Sequence, residues 1–457
     1  MSKITYSTLK KNLVNTLVII GLSNVICVLS EISPATGSNN NKRDKNINIS
    51  SINRTISVAE QESLWKKEYE NYLQLNITQE IMQPQLISHK LEMMNKLTGT
   101  KSAVVYLIPR DQDIVIILLM ANQRPINKSI AISRSELLGL TKALQQEVTA
   151  RKNLSFKNPT YLPLSQKLYS LFIAPVANEL ETKNIDNLIF CVGTGLRSFP
   201  FAALHDGKNF LVQNYSISLI PAFSLTDATY TDIRNVSVLA MGASLFPDQE
   251  PLPAVPVELA AITQSKGGVK FLNEKFTIEN LRSQQTQKPH KIVHLATHGV
   301  FNAGTVDDSY IKFWNTKLRL RDLSQLQLNQ PPVELLVLSA CQTALGNQQA
   351  ELGFSGLALQ AGVKSAIGSL WSVSDAGTLA LMTELYRNLK TAPIKAKALQ
   401  QAQIAMITGQ IKITQGELRQ AGLNRGVALP PEIGELGNLN LSHPYFWSAF
   451  TMIGSPW

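Results

Sequence analysis

Two stretches of this 457-residue chain end apolar runs in reactive side chains. "KIVHLATHGVF" brings His298 and Gly299 to the end of one run, and "LLVLSACQTALG" brings Cys341 to the end of another. A cysteine acts as a nucleophile through its thiolate, and a neighbouring histidine is the usual means of populating that form near neutral pH. The glycine after the histidine leaves room for a substrate backbone and can present its N–H to a developing oxyanion. Ligands of open parallel sheets bind outside the carboxyl ends of the strands, so neighbouring strands would turn both residues toward one crevice. Spacing alone leaves a second reading open, in which a lone histidine and a lone cysteine simply pack at strand ends.

The elements around these residues read as α/β. Continuous apolar runs at "NLIFCVG", "VSVLAMGAS", "KIVHLATHG", "VELLVLSAC" and "KSAIGSL" alternate with helical patterns. Those helices are expected near Arg134–Thr149, Leu164–Leu180, Glu258–Gln264, "GFSGLALQAG" and "DAGTLALMTELYRNL". Uninterrupted apolar strands joined by helices imply a mainly parallel sheet with helices on both faces. Ahead of it, "AVVYLIPRDQDIVIILLMAN" reads as a β-hairpin, and Val58–Leu97 as helices broken near Asn76 and Pro84. The chain thus divides into a leader (1–30), an Asn- and charge-rich linker (31–57), a helical segment (58–98), a first α/β part (99–232) and a second (233–457).

Composition narrows the chemistry. The formal charge of +10 comes from dispersed residues, with no compact Lys/Arg stripe interleaved with aromatics, so nucleic acid is not an expected partner. The three cysteines, Cys27, Cys191 and Cys341, form no CxxC or Cys/His cluster, which argues against a metal site. A Cys191–Cys341 bridge stays open. Lys3, Lys10 and Lys11 precede an apolar stretch, Leu13–Leu29, that fits a secretory signal cleaved after Ser30 or a single membrane tether over residues 13–29. Export to the periplasm or membrane anchoring is therefore expected, the alternative being a cytoplasmic protein with a buried leader. "CVGTGLRSF" lacks the ending of a phosphate loop, and "GFSGL" is not a serine-hydrolase elbow.

Taken in order, "HLATHG", "LVLSACQTALG", "AGVKSAIGSLWSVSDAGT" and "HPYFWSAFTMIG" resemble the motifs of the CHAT domain family, a caspase- and separase-like branch of the cysteine peptidases. "LYSLFIAPV", "LRSFPFAAL" and "LPAVPVELAAI" extend the resemblance over roughly residues 100–457. It implies a caspase-like sheet and a His298–Cys341 dyad that hydrolyses peptide bonds, with the Gly299 and Cys341 N–H groups as oxyanion hole. It also implies a protein or peptide substrate and no cofactor. Asp375 of "SLWSVSD" is the first candidate to hold a basic side chain before the cut, and Asp308 of "DDSY" the second. Asp375 equally fits the N-cap of the helix that follows. Many relatives carry tetratricopeptide arrays ahead of this domain; here only some 40 residues with a loose helical pattern precede it, which removes the expected recruitment surface and leaves the control of activity open, with a regulatory protein partner as one candidate. The alternative to an endopeptidase is a catalytically silent or inhibited CHAT-fold interaction module. His294 reads as a core histidine, His443 as positioning the C-terminal strand and Glu351 as ordering the loop after Cys341. His89, His205 and His290 have no nameable role.

Overall fold

Apolar runs that resist exposure on either side become the central strands. The computed structural model describes residues 57–150, 159–343, 345–420, 426–434 and 438–457. Residues 1–56, on which the expected leader or tether and most of the expected linker fall, lie outside the described residues. The strands of the main sheet are β1 (Ser102–Pro109), β2 (Asp113–Met120), β3 (Ile126–Ala131), β4 (Asn187–Val192), β5 (Ser216–Ile220), β6 (Val238–Gly242), β7 (Gly268–Leu272), β8 (Ile292–Phe301), β9 (Tyr310–Lys312), β10 (Lys317–Arg319), β11 (Leu335–Thr343) and β12 (Ser365–Ser369). Strands β13 (Ile411–Thr414), β14 (Glu417–Gln420) and β15 (Val427–Ala428) form a small separate sheet, and β16 (Phe450–Gly454) returns to the main one.

The order across the main sheet is β7-β6-β8-β11-β12-β16-β5-β4-β1-β2-β3, with the β9–β10 hairpin paired to the far half of β8. It is mainly parallel, in two blocks. Strands β7, β6, β8, β11 and β12 run one way. Strands β16, β5, β4 and β1 run the other way, and the two blocks meet at the antiparallel β12–β16 pair. Every residue of β1, β4 and β12 is buried, whereas β3 alternates half-buried with exposed residues.

Helices cover both faces. Val255–Lys266, Asp375–Asn388 and Lys395–Ile407 pack side by side, and Val58–Leu73 packs near Gln348–Ser355. Buried polar groups lock helix to sheet: Tyr106 of β1 donates to Glu62 at 2.8 Å, and the same carboxylate accepts from the Phe223 and Ser224 N–H groups. The expected helix over 164–180 is split into Tyr161–Phe172 and Ala177–Thr182 around Pro175, which has no N–H to continue it. The expected helix over 353–362 breaks at Gly356.

Candidate active site

The parallel β8–β11 pair positions the two reactive residues. Its register sets Leu338 opposite Leu295, then Ala340 opposite His298 and Cys341 opposite Gly299. Strand β8 therefore carries two residues, Ala296 and Thr297, where β11 has Ser339 alone, which is a β-bulge. Gly242 of β6 makes room for it, since a Cβ there would lie 2.5 Å from the Ala296 carbonyl oxygen. The bulge breaks the alternation that would otherwise give His294 and His298 the same environment. His294 is fully buried, with Nε2 2.8 Å from Glu258 and Nδ1 3.1 Å from the Tyr386 hydroxyl. His298 is half-buried and meets other partners altogether. Both strands continue two residues past the point where the apolar runs end, to Phe301 and Thr343. The backbone of Cys341 is placed; its side chain lies outside the described part of the structure.

A loop between β6 and the helix Val255–Lys266 holds His298. The His298 Nε2 lies 2.8 Å from the Glu250 carbonyl oxygen, and the Phe246 ring stands edge-on to the imidazole at 4.8 Å between centroids. A carbonyl only accepts, so Nε2 carries the proton and the neutral ring offers Nδ1 as its base. Sequence reasoning missed this group because a backbone carbonyl has no residue signature. Burial lowers the His298 pKa below the ordinary histidine value, partly offset by the Glu250 carbonyl and the Asp248 and Glu250 charges. A lowered pKa keeps the base neutral to lower pH. If His298 works as a base, the acid limb of kcat/KM is expected below about 6.5, activity falling as pH drops through the folded-state value. A limb centred at or above that value would contradict this placement.

The acidic candidates lie apart from each other in role. Ser374, not Asp375, caps the helix Asp375–Asn388, accepting from the Gly377 N–H. Asp375 is its first residue, half-buried, and its Oδ2 accepts from the Ala254 N–H at 3.0 Å. Burial raises its pKa to about 6, against that hydrogen bond and with help from the Glu258 charge. Asp308 is exposed and closes its own turn, accepting from the Thr305 N–H and hydroxyl. Those bonds hold its pKa below the usual carboxylate value.

Glu351, expected to order the loop after Cys341, instead ties the helix Gln348–Ser355 to the turn that follows β4. Its carboxylate accepts from the Gly195 N–H at 2.9 Å and the Ser198 hydroxyl at 3.0 Å, and burial raises its pKa. Beside it Arg197 is fully buried, forked onto Glu68 and stacked over the Tyr69 ring. His443 caps the short helix Pro444–Trp447 just before β16, and its burial lowers its pKa to about 4. Cys191 on β4 is a free, buried thiol whose pKa burial pushes well up. Four strand spacings separate β4 from β11, roughly 19 Å, so a Cys191–Cys341 bridge is excluded. Among the described residues no cluster of His, Cys, Asp or Glu is arranged to hold a metal ion, and no helix is long and apolar enough to cross a membrane.

A family model of the CHAT domain matches residues 162–455, a segment holding both reactive strands. The chain belongs to the CHAT domain family. The matched CHAT segment starts at 162, whereas the resemblance read from motifs reaches back to about 100. No curated protein matches the chain. Among solved structures, this CHAT protein is similar to Saccharomyces cerevisiae separase in its complex with securin, in two crystal structures. Identities are 10% and 9%, TM-scores 0.43 and 0.46, and each match covers 81% of this chain and 31% of that chain. It is also similar to the complex of Porphyromonas gingivalis RgpB pro- and mature domains, at 12% identity and TM-score 0.36, over 70% of this chain and 76% of that one. The CHAT chain therefore spans less than a third of the separase chains it matches.

Proposed function

We propose that this CHAT domain is a cysteine endopeptidase acting on protein or peptide substrates through His298 and Cys341. The observation that supports it is the fixed tautomer of His298: the Glu250 carbonyl holds the Nε2–H, leaving Nδ1 as the base on the strand next to Cys341. In the proposed reaction Nδ1 takes the Cys341 thiol proton while Sγ adds to the scissile carbonyl carbon. The tetrahedral oxyanion is held by backbone N–H groups of Gly299 and Cys341. Collapse breaks the C–N bond, the imidazolium gives its proton to the leaving amine, and a thioester remains. Water, deprotonated by the same nitrogen, then cleaves the thioester to a carboxylic acid and restores the thiol.

Asp375 and Asp308 each use one carboxylate oxygen, Oδ2, on the chain's own donors, so a basic side chain would share the carboxylate with those bonds through Oδ1. A peptide library varied at the residue before the cut tests both activity and preference. Cleavage is expected, and prior iodoacetamide treatment is expected to stop it while labelling Cys341 and sparing the buried Cys191. Undiminished cleavage by protein fully alkylated at Cys341, or no cleavage by the unmodified chain, sinks the proposal.

A further inference from the structure

We propose that Asp375 is a positioning residue, clamping the loop between Ser244 and Ala254 so that the Glu250 carbonyl stays on His298. Only the kinetic arm of this inference rests on the peptidase reading above.

Two contacts to the His298 ring come from this one loop, through Phe246 and Glu250. The loop is tied down at intervals. Ser244 is held by the Asn273 side chain at its start, and the Leu252 N–H donates to the Ser244 carbonyl to close it. Along its outer side Asp248 pairs with Lys312 and Lys317, and Gln249 donates to the Tyr310 hydroxyl. Asp248 is 45% exposed, so those ion pairs hold weakly. The tie at Ala254 differs in kind, because Asp375 starts a helix whose next residues, Ala376–Met382, are buried.

Ser374 already caps that helix, which frees the Asp375 carboxylate for the loop. The site is an expensive one for a carboxylate, since burial and the nearby Glu258 oppose its charge. Among the described residues its one hydrogen bond goes to the loop that holds His298. A loop released at Ala254 loses the anchor four residues from Glu250. The imidazole would then exchange tautomers and regain contact with water.

The full chain with 15N-labelled histidine, its His298 signals assigned through His298→Gln, tests this directly. Wild type is expected to show the Nε2–H tautomer and a pKa below about 6.5. Asp375→Ala is expected to give mixed tautomers and a pKa moved up toward that value. Asp375→Asn keeps an acceptor for the Ala254 N–H and is expected to resemble wild type. Should Asp375→Ala fold poorly, Asp375→Leu keeps the volume without the acceptor and is expected to behave as the alanine variant does in the NMR arm. On cleavable peptides, kcat of Asp375→Ala is expected to fall ~10-fold whatever residue precedes the cut, with KM nearly unchanged. An unaltered His298 spectrum in folded Asp375→Ala or Asp375→Leu overturns the clamp even if peptides are cleaved. A shifted spectrum supports it even if no peptide is cleaved, in which case the peptidase reading alone fails. A loss confined to peptides with a basic residue before the cut, or shared by Asp375→Asn, would overturn the clamp in favour of a substrate-binding role.

Discussion

Cys341→Ala is expected to lower kcat/KM for peptide cleavage on the order of 10⁴-fold or more, with substrate still bound. Without the thiol no thioester forms, and a base alone on β8 has only water to activate. Adding His298→Ala to that variant is expected to cost almost nothing further, because groups that act as one unit lose their effect together. His298→Ala alone is expected to approach the same floor, since in the proposed reaction it removes the base at Nδ1 and the proton donor for the leaving amine. The measurement is initial rates on one well-cleaved peptide for wild type, both single variants and the double. Independent, multiplicative losses would mean that the two residues do not work as a dyad. Full activity in Cys341→Ala would assign cleavage to another protein or another nucleophile.

The largest stability effect is expected away from these residues, at Arg197. Its side chain is fully buried, and its guanidinium donates to both oxygens of Glu68. Burial acts to raise the Glu68 pKa, but the Arg197 hydrogen bonds and charge hold it below the usual carboxylate value. Arg197 also offsets the charge of buried Glu351. Arg197→Met fills much of the same space but leaves buried Glu351 and the partly exposed Glu68 without their cation, so the loss is expected at the lower end of the about 3–5 kcal/mol that breaking a fully buried pair costs. Urea melts of the two proteins are expected to differ by about that much. A loss under about 1 kcal/mol would mean that the pair contributes no more than an exposed salt bridge. The variant should also loosen the segment after Cys341, because Glu351, Gly195 and Ser198 join the helix Gln348–Ser355 to the turn that follows β4.

Strand runs were legible because burial on both faces demands mostly apolar or small residues, and β4, β8, β11 and β12 fall where those runs lie. His294 reads as core for the same reason, flanked by Val293 and Leu295 inside such a run. What escaped reading has no residue-level signature. The extra residue in β8 is visible only through its register with β11, and the Glu250 carbonyl only through the path of its loop. Asp375 fits an N-cap by position, yet Ser374 takes that place because a serine hydroxyl one residue earlier reaches the Gly377 N–H. Strands β9 and β10, three residues each and rich in lysine and arginine, carry too little apolar pattern to stand out. The place of β16 follows from pairing partners far away in the chain, which no local pattern encodes.

That place has a consequence in time. Strand β16 lies between β12 and β5, and β5 ends at Ile220, long before Phe450 is synthesised. Until β16 arrives, the neighbouring edges of β12 and β5 have no strand between them, although both are almost wholly buried in the finished protein. Contacts of such sequence separation form late and slowly, and open edges of this kind invite pairing with other chains. A ribosome still making this protein therefore holds two unjoined half-sheets, one of which already contains His298 and Cys341. Chaperone cover until β16 has been made is the need such an order of assembly creates.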